Sequence, residues 1–287
     1  MSMTISPIAA KLDLGAELAK ELSIEEAFSF TVAGHTISVD EGTVVSWAII
    51  LVMTVLALIL TRNLKVEGEI SRRQAILELV YEKGEDFFKN LMTPKTYDFI
   101  PWLMSMTLFI GISNMIGILA PSFFGIFKFE NETAQEIFTA LGSLKPPTKS
   151  MQVTAAMAIT SIVIVEYANI RDKGLFGRIK AYTKPIWIIT PINILELITK
   201  PLSLCMRLFG NVLAAFTIME LIKIVTRNTI LPMVFSMYFD LFVGGLQAYI
   251  FVFLTSLYLA EATEEEEEEP KPKKDKKGRL KRKAKAN

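Results

Sequence analysis

From Trp187 to Val225 the chain runs for 39 residues of largely apolar sequence, and KPLSLCMRLFGNVLAAF, Lys200 to Phe216, places an arginine inside it. One helix of that length would measure about 58 Å, whereas the hydrocarbon core of a bilayer is about 30 Å thick. A single perpendicular span is excluded. The segment must tilt steeply, bend at Pro201, or do both. An arginine at the bilayer centre costs about 3 kcal/mol on insertion scales and more than about 10 kcal/mol in simulation, so its face must meet protein or water rather than lipid.

The rest of the chain supplies the membrane context. Of its 287 residues 51% are hydrophobic, the mean hydropathy is +0.39, and the apolar residues come in long runs. Five spanning elements are expected, at about 44–62, 99–122, 151–170, 186–226 and 230–260. They read as helices, since barrel strands would show short alternating segments. The fold class is therefore an all-α polytopic membrane protein, with an extracytoplasmic N-terminal segment 1–43, a membrane domain 44–262 and a charged tail 263–287.

The formal net charge of +1 hides a strong segregation. The N-terminal segment is acidic, whereas Arg62, Lys65, Arg72 and Arg73 follow the first span and Arg171, Lys173, Arg178, Lys180 and Lys184 follow the third. With five spans and the N-terminus outside, these basic loops and the Lys-rich C-terminus all face the cytoplasm. No cleaved signal pattern precedes the first helix, which is expected to direct its own insertion.

Smaller features complete the reading. FSFTVAGHTISVDEGTVVSW alternates about Ala33-Gly34 and predicts a β-hairpin with the only histidine, His35, at its tip as a solvated turn residue. SRRQAILELVYEKGEDFFKNLM predicts an amphipathic helix on the cytoplasmic surface. Cys205 has no second cysteine and reads as a small apolar filler. Glu166 reads as an interfacial carboxylate in preference to an ion-path residue. The tail, a Glu block followed by a Lys/Arg block, cannot bury a core and is expected to be disordered.

Projected at about 100° per residue, Asn193, Glu196, Lys200, Ser203, Arg207 and Asn211 fall within about 40° of one line. Glu196 lies about 16 Å from Arg207 by rise, too far for a direct pair. A partner arriving from another chain then competes with an intramembrane salt bridge as the reason for the charge, and arginine suits such a role because burial hardly neutralises it. In the last span Asp240, Gly244, Gln247 and Phe251 repeat on one helical side. Asp240 reads as a boundary acid or as part of a hydrated ion route. Gln247 and Asn114 read either as ion-path groups or as amides that hydrogen-bond between membrane helices.

PINILELITKPLSLCMRLFGN closely resembles the signature segment of subunit a of F-type ATP synthases. FTVAGHTISVDEGTVVSW, LFIGISNMIGILAP, PPTKSMQVTAAMA and GGLQAYIFVFLTSLYLAEA resemble that family in the same order, over about residues 28–262. The resemblance implies a stator subunit facing a rotating c-ring, with Arg207 between two offset aqueous half-channels. Each ring carboxylate would load from one channel and release near the arginine, since a nearby cation promotes proton release. The fixed charge would also oppose a direct leak. By the same resemblance Asn211 and Gln247 stand beside the arginine, and Asn114, Glu196 and Asp240 near the aqueous routes. Relatives often carry an acid or histidine nine residues after the arginine, where this chain has Phe216. Glu220, one turn further on, is expected to join Asp240 as the acids of one half-channel.

No phosphate-binding loop, metal-ligand cluster or nucleophile elbow occurs, so the chain is not expected to be an enzyme on its own, nor to need a cofactor or bind nucleotide or nucleic acid. The resemblance implies c-ring subunits, a subunit b peripheral stalk and the remaining synthase subunits as partners. It also implies a bacterial plasma membrane, ahead of a plastid thylakoid. The alternatives are a self-contained secondary transporter, although no second copy of the arginine segment is evident, as internal repeats would require, and the same subunit in a sodium-driven synthase.

Overall fold

The computed structural model describes residues 26–32, 35–65, 70–116, 146–182, 190–226 and 230–263, together with Ile188. The acidic segment before residue 26, the loop 117–145 and the charged tail lie outside the described residues.

The chain enters through two antiparallel strands, β1 (Glu26–Val32) and β2 (His35–Asp40), with Val32 opposite His35 at the closed end. The hairpin expected from the alternation is present, and its Ala33-Gly34 turn lies outside the described residues. β2 runs directly into α1 (Glu41–Thr61), which is largely apolar after Glu41. Asp40 does not cap α1 with its side chain. Its carboxylate instead accepts a hydrogen bond from Ser150 Oγ at 2.7 Å, which ties the base of the hairpin to the start of a later helix.

α2 (Arg72–Lys89) begins where Ser71 Oγ accepts from Gln74 N, an N-cap that satisfies one of the helix's orphan donors. Its stripe of Ile76, Leu79 and Val80 is exposed, as the amphipathic reading requires, while Phe88 packs inward. A 3-10 turn, Pro94–Phe99, then delivers α3 (Ile100–Met115). The second expected span, 99–122, is described only as far as Ile116.

A short 3-10 turn, Pro147–Lys149, opens α4 (Met151–Tyr182). α4 is interrupted at Gly174, whose φ of 72° lies in the left-handed region that glycine adopts without a Cβ penalty. The chain folds back there, and Arg178 returns to Glu166.

The apolar segment with the arginine forms one helix, α5 (Thr190–Thr226), which continues through Pro201. Its 37 residues span about 55 Å, so the excess over the bilayer thickness calls for tilt. α6 (Ile230–Ser236), a π-helical segment Met237–Val243, and α7 (Gly244–Thr263) complete the chain. The π segment was not expected. Asp240 within it is half-buried, whereas Gly244, Gln247 and Phe251 on α7 are buried.

Among the described residues, four helical stretches are long and apolar enough to cross a membrane: Glu41–Thr61, Met151–Arg178, Thr190–Ile222 and Val234–Thr263. α7 packs between α3 and α4, α5 lies mainly on α4, and α1 leans on α3 near the hairpin. The core gathers Leu103, Ile110, Met157, Leu204, Leu208 and Phe251, drawn from α3, α4, α5 and α7. Cys205 is buried in the same layer, with its thiol facing Thr154.

Candidate functional site

α5 has two unlike sides around the arginine. Leu204, Cys205 and Leu208 are 1, 6 and 0% exposed against α4 and α7. Ser203, Met206, Arg207, Gly210 and Asn211 are exposed on the outer side. A Cβ added at Gly210 would meet nothing within 4 Å. Arg207 makes no hydrogen bond or ion pair with another described residue. The helix therefore presents a guanidinium on an uncovered flank of a membrane bundle.

Asn211, one turn on, couples that flank to α7. Its Nδ2 donates to Gln247 Oε1 at 2.8 Å. Gln247 is only 2% exposed, and its Nε2 has no hydrogen-bond partner among the described residues. Leaving a buried amide donor unsatisfied costs about 1–3 kcal/mol, so the position holds an amide against its own stability interest.

Asn114 behaves differently. Its Nδ2 donates to Gly244 O at 3.1 Å, and its Oδ1 accepts from Thr148 Oγ1 at 2.6 Å. One 5%-exposed amide thus joins α3, α7 and the turn before α4. The approach is close enough to explain the glycine, since a Cβ on Gly244 would lie 2.9 Å from that of Asn114. Asp240 stands one turn before Gly244 in the π segment and accepts a hydrogen bond from Ser236 Oγ.

A second polar group gathers at the opposite end of α5. Lys200 Nζ lies 3.6 Å from Glu196 and 2.9 Å from Glu261, with the Tyr258 ring beneath it. Arg178 grips Glu166 through two bonds, Nε at 3.0 Å and Nη2 at 2.6 Å. These side chains, with Asn193 and Lys173, line a cavity of about 260 Å³ open to the surface. Glu196 thus meets Lys200 and not Arg207. Glu220 is half-buried 13 residues after the arginine, near the other end of α5.

Sequence reasoning did not single out Lys149, Glu261 or the Arg178–Glu166 clamp. Lys149 is 4% exposed, and its Nζ lies 3.7 Å from the centre of the Phe216 ring. A lysine next to proline-rich loop sequence gives no local sign of burial. Glu261 gave one usable signal, an acid placed at the end of a span that returns towards Lys200.

Fold and site together define a multi-pass α-helical membrane protein whose longest helix carries a cation unpaired by its described neighbours. The profile of the family described as ATP synthase A chain matches residues 43–260. The chain is similar to a protein named ATP synthase subunit a from Nitrosospira multiformis, at 31% identity over 225 residues, which is 77% of this chain and 79% of that relative. This chain belongs to the ATP synthase A chain family.

Proposed function

We propose that the chain is the ion-translocating stator subunit of a rotary F-type ATP synthase, in a bacterial plasma membrane with its N-terminus outside. Arg207 faces a c-ring there, and two half-channels end near it. The chain binds no nucleotide itself and works with the ring, subunit b and the remaining synthase subunits. The observation that carries this reading is Arg207 on the open flank of α5, without a hydrogen bond or ion pair among the described residues. A charge so costly in a membrane is retained where its counter-charge lies on another chain.

The distribution of polar groups along α5 supports the two channels. Glu196, beside the polar cavity, lies 11 residues before Arg207, and Glu220 lies 13 residues after it. By rise the arginine is about 16 Å from one and about 20 Å from the other. Glu196 and the cavity form the cytoplasmic route, and Glu220 with Asp240 forms the extracytoplasmic one. Asn211 and Gln247 hold the ring-facing surface next to the arginine, and Asn114 contributes to the extracytoplasmic route by fixing the backbone beside Asp240.

The physics of the switch follows. A ring carboxylate arriving from lipid carries its proton, and the guanidinium favours its ionised form and releases the proton into the exit route. The same fixed charge repels a proton crossing directly between the routes. Each charge moved across about 100 mV supplies about 2.3 kcal/mol, so several must cross for each ATP made elsewhere in the complex.

The test is ATP-driven proton uptake, measured with passive leak, in membrane vesicles carrying Arg207→Ala. The expected result is an assembled complex without coupled pumping. Normal coupled pumping would make the charge structural and return the chain to the transporter reading.

A further inference from the structure

We infer that the corner joining α1 to α2 is a docking site for an anionic phospholipid, whose headgroup phosphate sits among Arg62, Lys65, Arg72 and Arg73 and whose acyl chains lie along α1. The inference is independent of the rotary reading and needs only that α1 spans the bilayer.

α1 touches the bundle with its first half. Val45, Ser46 and Ile49 are buried there, whereas between Ile50 and Ile59 every residue but Met53 is exposed. α2 behaves in the opposite sense. Near its end Phe88 is buried, and a Cβ added at Gly84 would stand 2.6 Å from Met104 Cε on α3, whereas Ile76, Leu79 and Val80 near its start are exposed. The second half of α1 and the first half of α2 thus form an arm with apolar sides that no described residue covers. With 21 residues, α1 measures about 31 Å, against about 30 Å of hydrocarbon. The corner that follows it therefore stands at the depth of the lipid phosphates.

That corner is tied together by specific bonds. Asn63 has a φ of 64°, a left-handed conformation that asparagine adopts more readily than most residues and that turns the chain out of α1. Gln74, 4% exposed, then holds Lys65 through both backbone groups: its Nε2 donates to Lys65 O at 2.7 Å and its Oε1 accepts from Lys65 N at 3.0 Å. Arg73 Nη2 donates to Arg62 O at 3.0 Å. The backbone that carries Arg62 and Lys65 is thereby fastened to the start of α2, beside Arg72 and Arg73.

All four cations are exposed, and none forms an ion pair with another described residue. Glu78, the first acid of α2, accepts instead from Gln74 Nε2 at 2.7 Å. With Glu67 and Glu69, which lie outside the described residues, the stretch 62–73 holds four cations and two acids, a net charge of +2. An acidic protein loop would match the charge and leave the apolar sides of α1 and α2 unmatched. A phospholipid matches both, with its anionic head at the corner and its chains beside α1. Guanidinium groups further suit phosphate, whose oxygens they hold through two parallel N–H bonds.

The experiment uses the full chain purified in detergent and incubated with equal amounts of phosphatidylglycerol and phosphatidylcholine of identical acyl chains, with the retained lipid counted by native mass spectrometry. One surface cation favours an anionic lipid about fivefold, so the net charge of the corner gives an expected preference of about 25-fold for phosphatidylglycerol. Arg62→Gln combined with Arg72→Gln leaves every hydrogen bond of the corner in place and is expected to bring the two lipids near parity. Lys83→Gln with Lys89→Gln, which removes as much charge further along α2, is expected to leave the preference standing. Gln74→Leu keeps all four cations but unties Lys65, and is expected to lower the preference about fivefold, the share of one cation. Circular dichroism checks that each variant keeps its helix, and the Arg62 and Arg72 pair decides the matter even where Gln74→Leu does not. Equal retention of the two lipids by the original chain would overturn the inference and return the corner to a protein partner. A preference that falls as far in the Lys83 and Lys89 variant, or that survives loss of Arg62 and Arg72, would make the attraction diffuse and overturn the site. Displacement of the lipid by excess inorganic phosphate would overturn it too, by assigning the cations to a free anion.

Discussion

The junction of α3, α7 and the turn before α4 depends on a single amide, and its contribution can be measured in isolation. Asn114→Ala removes two hydrogen bonds, the 2.6 Å bond from Thr148 and the 3.1 Å bond to Gly244 O. Thr148 is 0% exposed, so its hydroxyl loses its partner in a place that water does not reach. Scales from water-soluble proteins give about 1–3 kcal/mol for each buried group left unsatisfied. Polar contacts between membrane helices average about 0.6 kcal/mol, with a maximum near 1.7 kcal/mol. Weighing the two, Asn114→Ala is expected to destabilise the chain by about 1–4 kcal/mol. The cleaner quantity is the coupling between Asn114→Ala and Thr148→Val, expected at about 0.6–1.7 kcal/mol. Both single variants and the double variant would be unfolded by SDS in mixed micelles, with helix loss followed by circular dichroism. If the two changes add to within about 0.3 kcal/mol, the two side chains do not share a bond and the reasoning fails.

Two further predictions follow from contacts of the same kind. Gly244→Ala places a Cβ 2.9 Å from that of Asn114 and is expected to destabilise the chain by about 1–3 kcal/mol; Gly245→Ala, with nothing within 4 Å, is expected to leave the SDS midpoint of the chain unchanged. Arg178→Ala leaves the three-quarters-buried Glu166 carboxylate without its bidentate partner, for an expected cost of about 1–3 kcal/mol. Arg178→Met combined with Glu166→Gln is expected to recover most of that loss, and equal midpoints for Arg178→Ala and the original chain would show that the clamp contributes nothing.

What the sequence disclosed and what it withheld divide along one physical line. Features with a period were legible. The hairpin follows from alternation about Ala33-Gly34, the surface helix from Ile76, Leu79 and Val80, and the polar stripe on α5 from the angular spacing of Glu196, Lys200, Arg207 and Asn211. Features made by residues distant in sequence were not. The Asn114–Gly244 bond spans 130 residues and the Lys200–Glu261 bond 61, and no local pattern announces either. The π segment is a third kind of case. MYFDLFV, apolar but for Asp240, carries no local mark of a widened turn, and it ends where Gly244 packs closely against Asn114.

The charges of the bundle sort themselves by whether they have found a partner, and the sorting bears on mechanism. Lys200 reaches Glu196 and Glu261, Arg178 reaches Glu166, and Lys149 rests on Phe216. Each of these lies towards an end of the bundle. Arg207 lies far from both ends of the longest helix and is the one whose surroundings on the outer side are Ser203, Met206 and an uncovered Gly210. Lipid cannot be the intended neighbour of a guanidinium that burial hardly neutralises. Were the charge there only to fix α5 in the bundle, it would belong on the inner side, where Leu204 and Leu208 instead pack without a polar atom. Its outward placement, next to an amide pair with one buried donor unpartnered among the described residues, supports the proposed reading, in which a carboxylate of another chain approaches, is held in its ionised form, and moves on.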